Sequence, residues 1–406
     1  MTPRPLPRTL APLEDESLVG LILRLAHHSG SSPAAIALRM GLAHKEGIYV
    51  PAGSLLELPP RELAEAAHVA GLSVPEMENL LLAPLGERYG PLSQQYDPWY
   101  GPQLLTNPRR WVHLRSTQFC ERCLAGNGSS LRERLGGAWK RHWHLPVVFA
   151  CVEHRRMLRR HCPYCGRPAH AARRGLIAHA SQEDLHPTQC RASSIFQTSS
   201  RDRSVCGASM AAESGSRSIS SDRATREEII GLQRRIDALL SPNGPSSTLS
   251  CGEMVSVAQY FMDLRAVTAL IFASWPLARP LAATEALARA AERDGERRQR
   301  SARDLRSRVK GAWAGNYFLA PPDTALATSA VLGIAERLLK AADNSEERAG
   351  LIDLYQPAVA GRAPLSRRLV AELGASPPLC RTLGITPRPR KASTRSAPQM
   401  PAAEAG

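Results

Sequence analysis

The sequence predicts a mainly α-helical protein with a small cysteine-rich module near its centre. Apolar residues recur at helical spacing in the N-terminal part of the chain and again after residue 225. Between these parts, the stretch from Phe119 to Gly166 holds three pairs of metal-binding residue types, each pair separated by two residues. We therefore expect an N-terminal helical region, a central zinc-ribbon or zinc-knuckle module with short strands, and a C-terminal helical domain.

Two short helices are expected at the start of the chain. Asp15 is the expected N-cap of a helix that runs through His28, and Gly30 is its stop signal. The second helix is expected between Ser32 as N-cap and Gly41 as C-terminal stop.

The next two helices form a candidate helix-turn-helix. Pro59 and Pro60 open the first of them, and Ala67 is followed four residues later by Gly71, the spacing of a small contact residue and a turn glycine. The second helix carries Glu76 on its outer side, which suits phosphate poorly. Ordinary packing of two helices and a DNA-reading helix-turn-helix therefore both stay open, and we describe this region as helix-turn-helix-like.

The first two pairs predict one closed metal site. Cys120 and Cys123 can be joined by Cys151 and His154, because two intervening residues let a tight turn aim both side chains at one ion. Three cysteines and one histidine form a typical structural zinc site. We expect one Zn²⁺ here.

The third pair predicts a second zinc site. Cys162 and Cys165 need another pair, and Cys190 with Cys206 would give an all-cysteine site. A redox role for this CxxC pair is the alternative, but Pro163 and the neighbouring Cys/His pairs favour a zinc knuckle. Four histidines compete as ligands: His161, His170, His179 and His186.

Charge points to an anionic partner. The chain has a formal net charge of +15, and nucleic acid is the commonest partner of such proteins. If the segment after His154 is helical, its arginines form one basic edge opposite Met157 and Leu158. The candidate nucleic-acid-binding residues are Arg155, Arg156, Arg159, Arg160, Arg173 and Arg174. The aromatic residues of the module are expected to pack around the metal sites: Trp111, Trp139, Trp143 and Tyr164.

The helical pattern resumes in the last third of the chain. Thr225-Arg-Glu-Glu228 resembles a capping box that starts a helix through Leu240. Further helices are expected near 252–274, 281–310, 323–342, 346–355 and 365–373. The expected domains are residues 1–105 (N-terminal helical), 106–210 (zinc-binding), 211–224 (linker), 225–385 (C-terminal helical) and 386–406 (disordered tail).

Several phrases resemble the TniQ (TnsD-like) family, the target-selection proteins of bacterial transposons. The resemblance rests on the opening phrase 10–18, on the FCxxCL phrase at 119–124, and on the segments 143–154 and 162–166. It covers about the first 170 residues. The separation of Cys190 from Cys206 by residues 191–205 departs from the compact last pair of many relatives.

The resemblance implies a non-catalytic adaptor. Such a protein binds target DNA, or a nucleoprotein complex that has found it, and recruits an AAA+ ATPase of the TniB or TnsC type and through it the transposase. Self-association stays open. The alternative is a zinc-containing DNA-binding transcription regulator, which would bind a short operator without an ATPase.

Enzymatic and membrane roles are disfavoured. A four-ligand zinc site leaves no open position for catalytic water, and no GxxxxGK[ST] loop for ATP is present. No apolar run is long enough to span a bilayer, and the N-terminus lacks the apolar segment of a signal peptide. We expect a cytoplasmic protein without a catalytic site.

Overall fold

The computed structural model describes the helices of both halves and the cysteine-rich module between them. The described residues are 4–43, 50–93, 111–114, 116–170, 185–192, 205–211, 222–309, 316–341, 345–360 and 373–385. The expected helix at 365–373 and the tail at 386–406 lie outside the described residues, apart from residue 373. The protein is mainly helical, as the sequence predicts, with a few short strands.

Four α-helices lie in the N-terminal region: α1 (Leu18–Ser29), α2 (Pro33–Arg39), α3 (Pro60–Ala70) and α4 (Val74–Glu78). Ser17, rather than Asp15, caps α1, and its Oγ accepts from the Gly20 backbone amide. Asp15 instead has a left-handed backbone and a carboxylate 2.7 Å from His142 Nδ1. The stop at Gly30 and the N-cap at Ser32 are as expected.

The helix-turn-helix-like pair has a very short second helix. Gly71 ends α3 in the left-handed conformation, and Ala67 is buried where the two helices meet. Ser73 and Glu76 form a capping box at the start of α4, which is five residues long. Glu76 therefore places a negative charge at the N-terminus of α4, the end that would approach DNA. A carboxylate at this position is unfavourable for binding phosphate.

The module contains two short helices and a hairpin: α5 (Glu121–Leu124), α6 (Ser130–Leu135), β1 (Ala150–Cys151) and β2 (Arg156–Met157). The C-terminal part contains seven described helices and a second hairpin, β3 (Ser247–Ser250) with β4 (Glu253–Ser256). The seven helices are α7 (Arg223–Leu240), α8 (Val257–Ala273), α9 (Glu285–Arg308), α10 (Asn316–Leu319), α11 (Ala325–Lys340), α12 (Glu346–Ala360) and α13 (Pro377–Thr382).

Two helix starts differ from expectation. Asp222 caps α7 by accepting from the amides of Ala224 and Thr225, so the helix begins before the expected capping box. Hairpin β3–β4 occupies the beginning of the helix expected at 252–274, and α8 starts at Val257 behind its cap Ser256.

Helix α8 is the centre of the C-terminal part, and all but two of its residues are buried. It contacts α9, α11 and α12 on its different sides, as expected for a helix that is apolar all round. It also contacts the 3-10 turn Gly90–Leu92 of the N-terminal region. The Tyr89 and Phe261 rings meet there edge to face, with centroids 5.2 Å apart. One continuous apolar core therefore runs from the N-terminal helices into the C-terminal ones.

No helix among the described residues combines the length and the apolar composition that crossing a bilayer requires.

Candidate metal centres

Hairpin β1–β2 positions half of the first cluster. Cys151 is the last residue of β1 and pairs with Arg156 in antiparallel register. The turn between the strands carries His154 and closes through Arg155, whose φ of 50° is left-handed. This tight turn brings His154 Nδ1 to 3.3 Å from Cys151 Sγ.

Main-chain hydrogen bonds bring the other half to the hairpin. The amide of Phe119 donates to Arg159 O at 2.8 Å, and the amide of Arg159 donates back to Phe119 O at 2.9 Å. Cys120 follows directly and Cys123 lies in α5, so both thiols point towards the β1–β2 turn. A Cβ on Gly137 would collide with the Cys123 carbonyl oxygen, so the glycine lets the following loop pass close to this knuckle.

The ligand atoms of this cluster have the spacing of a tetrahedral zinc site. Cys120 Sγ, Cys123 Sγ and Cys151 Sγ lie 3.5, 3.3 and 3.3 Å from His154 Nδ1, and the sulfurs of Cys123 and Cys151 are 3.7 Å apart. Zinc bonds of about 2.3 Å to sulfur and about 2.0 Å to nitrogen place tetrahedral ligands roughly 3.5 to 3.8 Å apart. The donor set therefore fits Zn²⁺.

Crowding and burial raise the proton affinity of two of the three thiols in this cluster. Hydrogen bonding with the Cys120 and Cys151 thiols, together with burial, raises the pKa of the Cys123 thiol. Hydrogen bonding with Cys120 and burial raise the pKa of the Cys151 thiol to about 11, against a hydrogen bond with Cys123 that lowers it. A divalent ion opposes both effects, because it binds thiolates and displaces their protons.

A carboxylate stands beyond the histidine ring. Glu153 Oε1 is 4.0 Å from His154 Nε2, and Asn127 Nδ2 donates to the same oxygen at 2.7 Å. Nδ1 therefore faces the sulfurs while Nε2 faces a carboxylate, which is the usual surrounding of a metal-bound imidazole. The four ligand atoms lie within 4.8 Å of one another, so they can complete a tetrahedron without Glu153.

The second cluster joins a tight knuckle to a pair of extended segments. Cys162 and Cys165 lie in a turn closed by the Cys162 amide, which donates to Arg167 O at 2.8 Å. On the other side, the Cys190 amide donates to Ala208 O and the Cys206 amide donates to Ala192 O, each at 2.9 Å. Pairing of these two extended segments brings Cys190 and Cys206 together despite their separation in sequence.

The sulfur distances of this second cluster also match zinc. Cys162 Sγ is 3.9 Å from Cys206 Sγ, and Cys165 Sγ is 3.8 Å from Cys190 Sγ. Burial opposes ionisation of Cys162, but the backbone amides of Cys165 and Tyr164 donate to its sulfur, and its pKa is lowered. Amide donation to a thiolate in this way is typical of a zinc knuckle. Four cysteines at these distances fit Zn²⁺.

The competing histidines of the described chain lie outside both clusters. The His170 ring lies against Trp139 with centroids 3.9 Å apart, and the His186 ring lies 5.0 Å from that of His27. His161 precedes the second knuckle and pairs through its backbone with Pro168. His179 lies outside the described residues.

The expected basic helix after His154 is wrong. Residues 156–157 form β2, because the metal-binding turn returns the chain along β1. Arg156 and Arg159 lie 3.6 and 3.0 Å from the Glu121 carboxylate, and Arg155 donates to Glu227 at 2.7 Å. These three arginines therefore form ion pairs with acidic residues of the same chain and do not form one basic edge.

The other candidate arginines differ in what the structure says of them. Arg160 donates to Ser116 Oγ at 3.3 Å, and burial lowers its pKa. Arg173 and Arg174 lie outside the described residues. Arg167, which the sequence did not single out among the candidate arginines, is exposed beside the second knuckle.

The aromatic residues of the module divide into two groups. Trp111, Trp139 and Trp143 are buried, and the Trp139 indole donates to Pro187 O at 3.0 Å. Tyr164 differs, because 72% of its surface is exposed. The expectation that Tyr164 packs around the metal is wrong, since its turn lies at the tip of the knuckle.

Gln233 is a supporting residue that sequence reasoning missed. Its Oε1 accepts from the amides of Phe149 and Ala150 at 2.8 and 3.0 Å, which holds the start of β1 against α7. A glutamine on an amphipathic helix is ordinarily a surface residue. The one signal that could have found it is its spacing, four residues after Ile229 and three before Ile236, which puts it on the apolar face of α7.

Comparison with known families agrees with this geometry. The TniQ family model matches residues 7–158, a stretch that holds helices α1–α4 and the whole first cluster. The second cluster and the C-terminal helices follow the matched stretch. No curated protein matches the chain. A TniQ domain implies a role in selecting the target of transposition. Residues 7–158 are thus a TniQ domain.

Proposed function

We propose that this chain is a non-catalytic target-selection adaptor of a transposon. It binds target DNA, or a nucleoprotein complex already on that DNA, and recruits an AAA+ ATPase and through it the transposase. The observation that carries the proposal is the TniQ match over residues 7–158, which includes the first Cys/His cluster. The net charge of +15 supports a nucleic-acid partner.

Both clusters hold Zn²⁺ in this proposal, and both ions are structural. The ligands are Cys120, Cys123, Cys151 and His154 at the first centre, and Cys162, Cys165, Cys190 and Cys206 at the second. Four protein ligands complete a tetrahedron, so neither ion has a free position for substrate or water. Each ion fixes a turn and supplies no reaction chemistry.

DNA contact is assigned to six arginines of the module, of which the last two lie outside the described residues. They are Arg155, Arg156, Arg159, Arg160, Arg173 and Arg174. The acidic neighbours of the first three mean that these side chains orient before they bind, and phosphate competes with Glu121 and Glu227 for them. Contacts of this kind set affinity and position on DNA without reading its sequence.

The functional parts follow the domain boundaries expected from the sequence. Residues 1–105 are the N-terminal helical region, residues 106–210 are the module with the two zinc centres, and residues 225–385 are a helical platform for the partner. Support for a shared platform comes from the polar contacts between these parts: Arg88 Nε donates to Leu239 O at 2.8 Å, and Trp111 Nε1 donates to Leu319 O at 2.9 Å.

The test compares DNA binding with and without the ATPase. The full chain is tagged in its native host, and the co-purifying AAA+ ATPase and DNA are identified. Fluorescence anisotropy then measures the affinity of the zinc-loaded protein for this DNA, alone and with ATPase and ATP. The adaptor binds more tightly when ATPase and ATP are present, and the matched variant Cys251→Ser, outside both clusters, behaves like the wild type.

Equal affinity with and without the ATPase contradicts the adaptor. Tight binding of a short palindromic promoter site by the chain alone, with no ATPase recovered, would make the protein a transcription regulator instead.

A further inference from the structure

Tyr164 is the most exposed large apolar side chain of the described chain, at 72%. Its hydroxyl makes no hydrogen bond with any described residue. The tryptophans of the same module are buried, whereas the Tyr164 ring is not part of the core. Tyr164 lies between Cys162 and Cys165, at the tip of the second knuckle.

The turn that carries this ring is held by its neighbours. The amides of Tyr164 and Cys165 donate to Cys162 Sγ, and the Gly166 amide donates to Cys162 O at 3.0 Å. Gly166 has a φ of 67°, which closes the turn without strain. The ring is therefore presented from a fixed backbone, and only two side-chain torsions remain to be ordered on binding.

The chain segment that carries the ring is positively charged. The sequence from 154 to 182 contains no aspartate or glutamate. Arg167 is exposed two residues after Cys165, and its guanidinium has no ion pair with any described residue. An anionic ligand that also offers a flat apolar face would satisfy both side chains.

The size of the patch distinguishes a base from a protein surface. Within residues 161–170, Tyr164 is the one large apolar side chain that is exposed. Protein interfaces are centred on clusters of such anchors in well-packed pockets, whereas base stacking needs a single aromatic face beside a cation. An unpaired base with its phosphate is the ligand that fits a patch one ring wide.

We propose that Tyr164 stacks on an unpaired or unstacked nucleobase while Arg167 contacts the adjoining phosphate. The inference rests on the proposed DNA binding and deepens it. It assigns to the second knuckle a preference for DNA whose helix is opened or distorted, a form that arises where a targeting complex has separated the strands.

The test uses the full zinc-loaded chain and two DNA probes of the same sequence. One is a perfect duplex, and the other carries a short central bubble of mismatches with 2-aminopurine inside it. Anisotropy gives the affinities, and 2-aminopurine fluorescence reports stacking. The wild type is expected to bind the bubble roughly 10-fold more tightly than the duplex and to quench the fluorescence.

Three variants separate the contributions. Tyr164→Phe keeps the ring and is expected to retain both the preference and the quenching. Tyr164→Ala is expected to lose both while its duplex affinity and zinc content stay unchanged. Arg167→Gln is expected to weaken binding to both probes and to reduce the salt dependence by about one phosphate contact. Met254→Ala, an exposed apolar residue of β4, serves as the control and should match the wild type.

Two outcomes overturn the inference in different ways. If the wild type binds both probes equally and Tyr164→Ala changes neither, the stacking role is wrong while DNA binding by the protein stands. If the wild type binds neither probe, the proposed DNA binding fails together with the inference. Loss of ATPase capture by Tyr164→Ala, with DNA binding intact, would assign the ring to a protein contact instead.

Discussion

Three buried histidines, His113, His144 and His170, have lowered pKa values, and the ring of His170 lies against Trp139. Burial lowers the pKa of His170 to about 3 and, outweighing a hydrogen bond to His113 O, that of His144 to about 4. His113 is affected in the same direction by burial. In each case the folded chain resists a proton that the unfolded chain accepts near pH 6.5.

These histidines predict a loss of stability in mild acid. A folded-state pKa below the unfolded value means that the stability is fully present above about pH 6.5 and is lost as the pH falls towards 4. Each group contributes up to about 1.4 kcal/mol per pH unit in this window. His170→Phe removes one titrating group and keeps a ring against Trp139, so urea unfolding of this variant should depend less steeply on pH.

His68→Gln is the control for this prediction, because His68 is exposed on α3 and should leave the pH dependence as in the wild type. Identical slopes for His170→Phe and the wild type would show that His170 is not held uncharged in the folded chain.

At the residue scale, spacing predicted which cysteines and histidine come together, because two residues between ligands leave the turn few other geometries. The spacing did not predict which side chains of the module are exposed to solvent. Whether Tyr164 packs or projects depends on what the folded chain places beside the knuckle, which local spacing does not specify. The sequence shows that Arg156 and Arg159 are positively charged. It does not show that the folded chain places both guanidinium groups beside the Glu121 carboxylate.

At the element scale, helix existence was easier to predict than helix starts. Asp15 and Ser17 are both good N-caps, and the backbone conformation of Asp15 decided between them. The segment after His154 shows the stronger failure. Its arginine spacing suits a helix, yet pairing of β1 with β2 satisfies the same backbone groups and also aims two metal ligands at one point.

The contact between the 3-10 turn at Gly90 and helix α8 makes a sharp prediction about packing. A Cβ at Gly90 would collide with the Ala258 carbonyl oxygen and lie 2.8 Å from Met262 Cγ. Gly90→Ala should therefore separate the N-terminal region from α8 and lower the free energy of unfolding by on the order of 2 kcal/mol. Urea denaturation of the full chain measures the change.

Gly231→Ala is the matched control within α7. A Cβ there would meet only Arg235 Nη1, at 3.4 Å, so the substitution should be neutral or stabilising by up to about 1 kcal/mol. A neutral Gly90→Ala variant would mean that the turn and α8 are not in close contact.

At the scale of the whole molecule, the TniQ domain is hydrogen-bonded to residues that lie outside the matched stretch 7–158. Gln233 of α7 accepts from two backbone amides around β1, and Trp111 donates to Leu319 O. The sequence separates an N-terminal region, a zinc module and a C-terminal helical domain, but such long-range contacts leave no periodic signal. The mainly helical class was predictable because it depends on local patterns, whereas the shared core was not.

The zinc content of the full chain shows directly whether both clusters are structural zinc sites. Native mass spectrometry of the purified protein should show two bound zinc ions per chain, one for each cluster. Cys165→Ser should lose the ion of the second centre and keep the first, Cys123→Ser should lose that of the first, and Cys251→Ser should keep both. Wild-type protein with no zinc, or variants of Cys123 and Cys165 with undiminished zinc, would contradict the account.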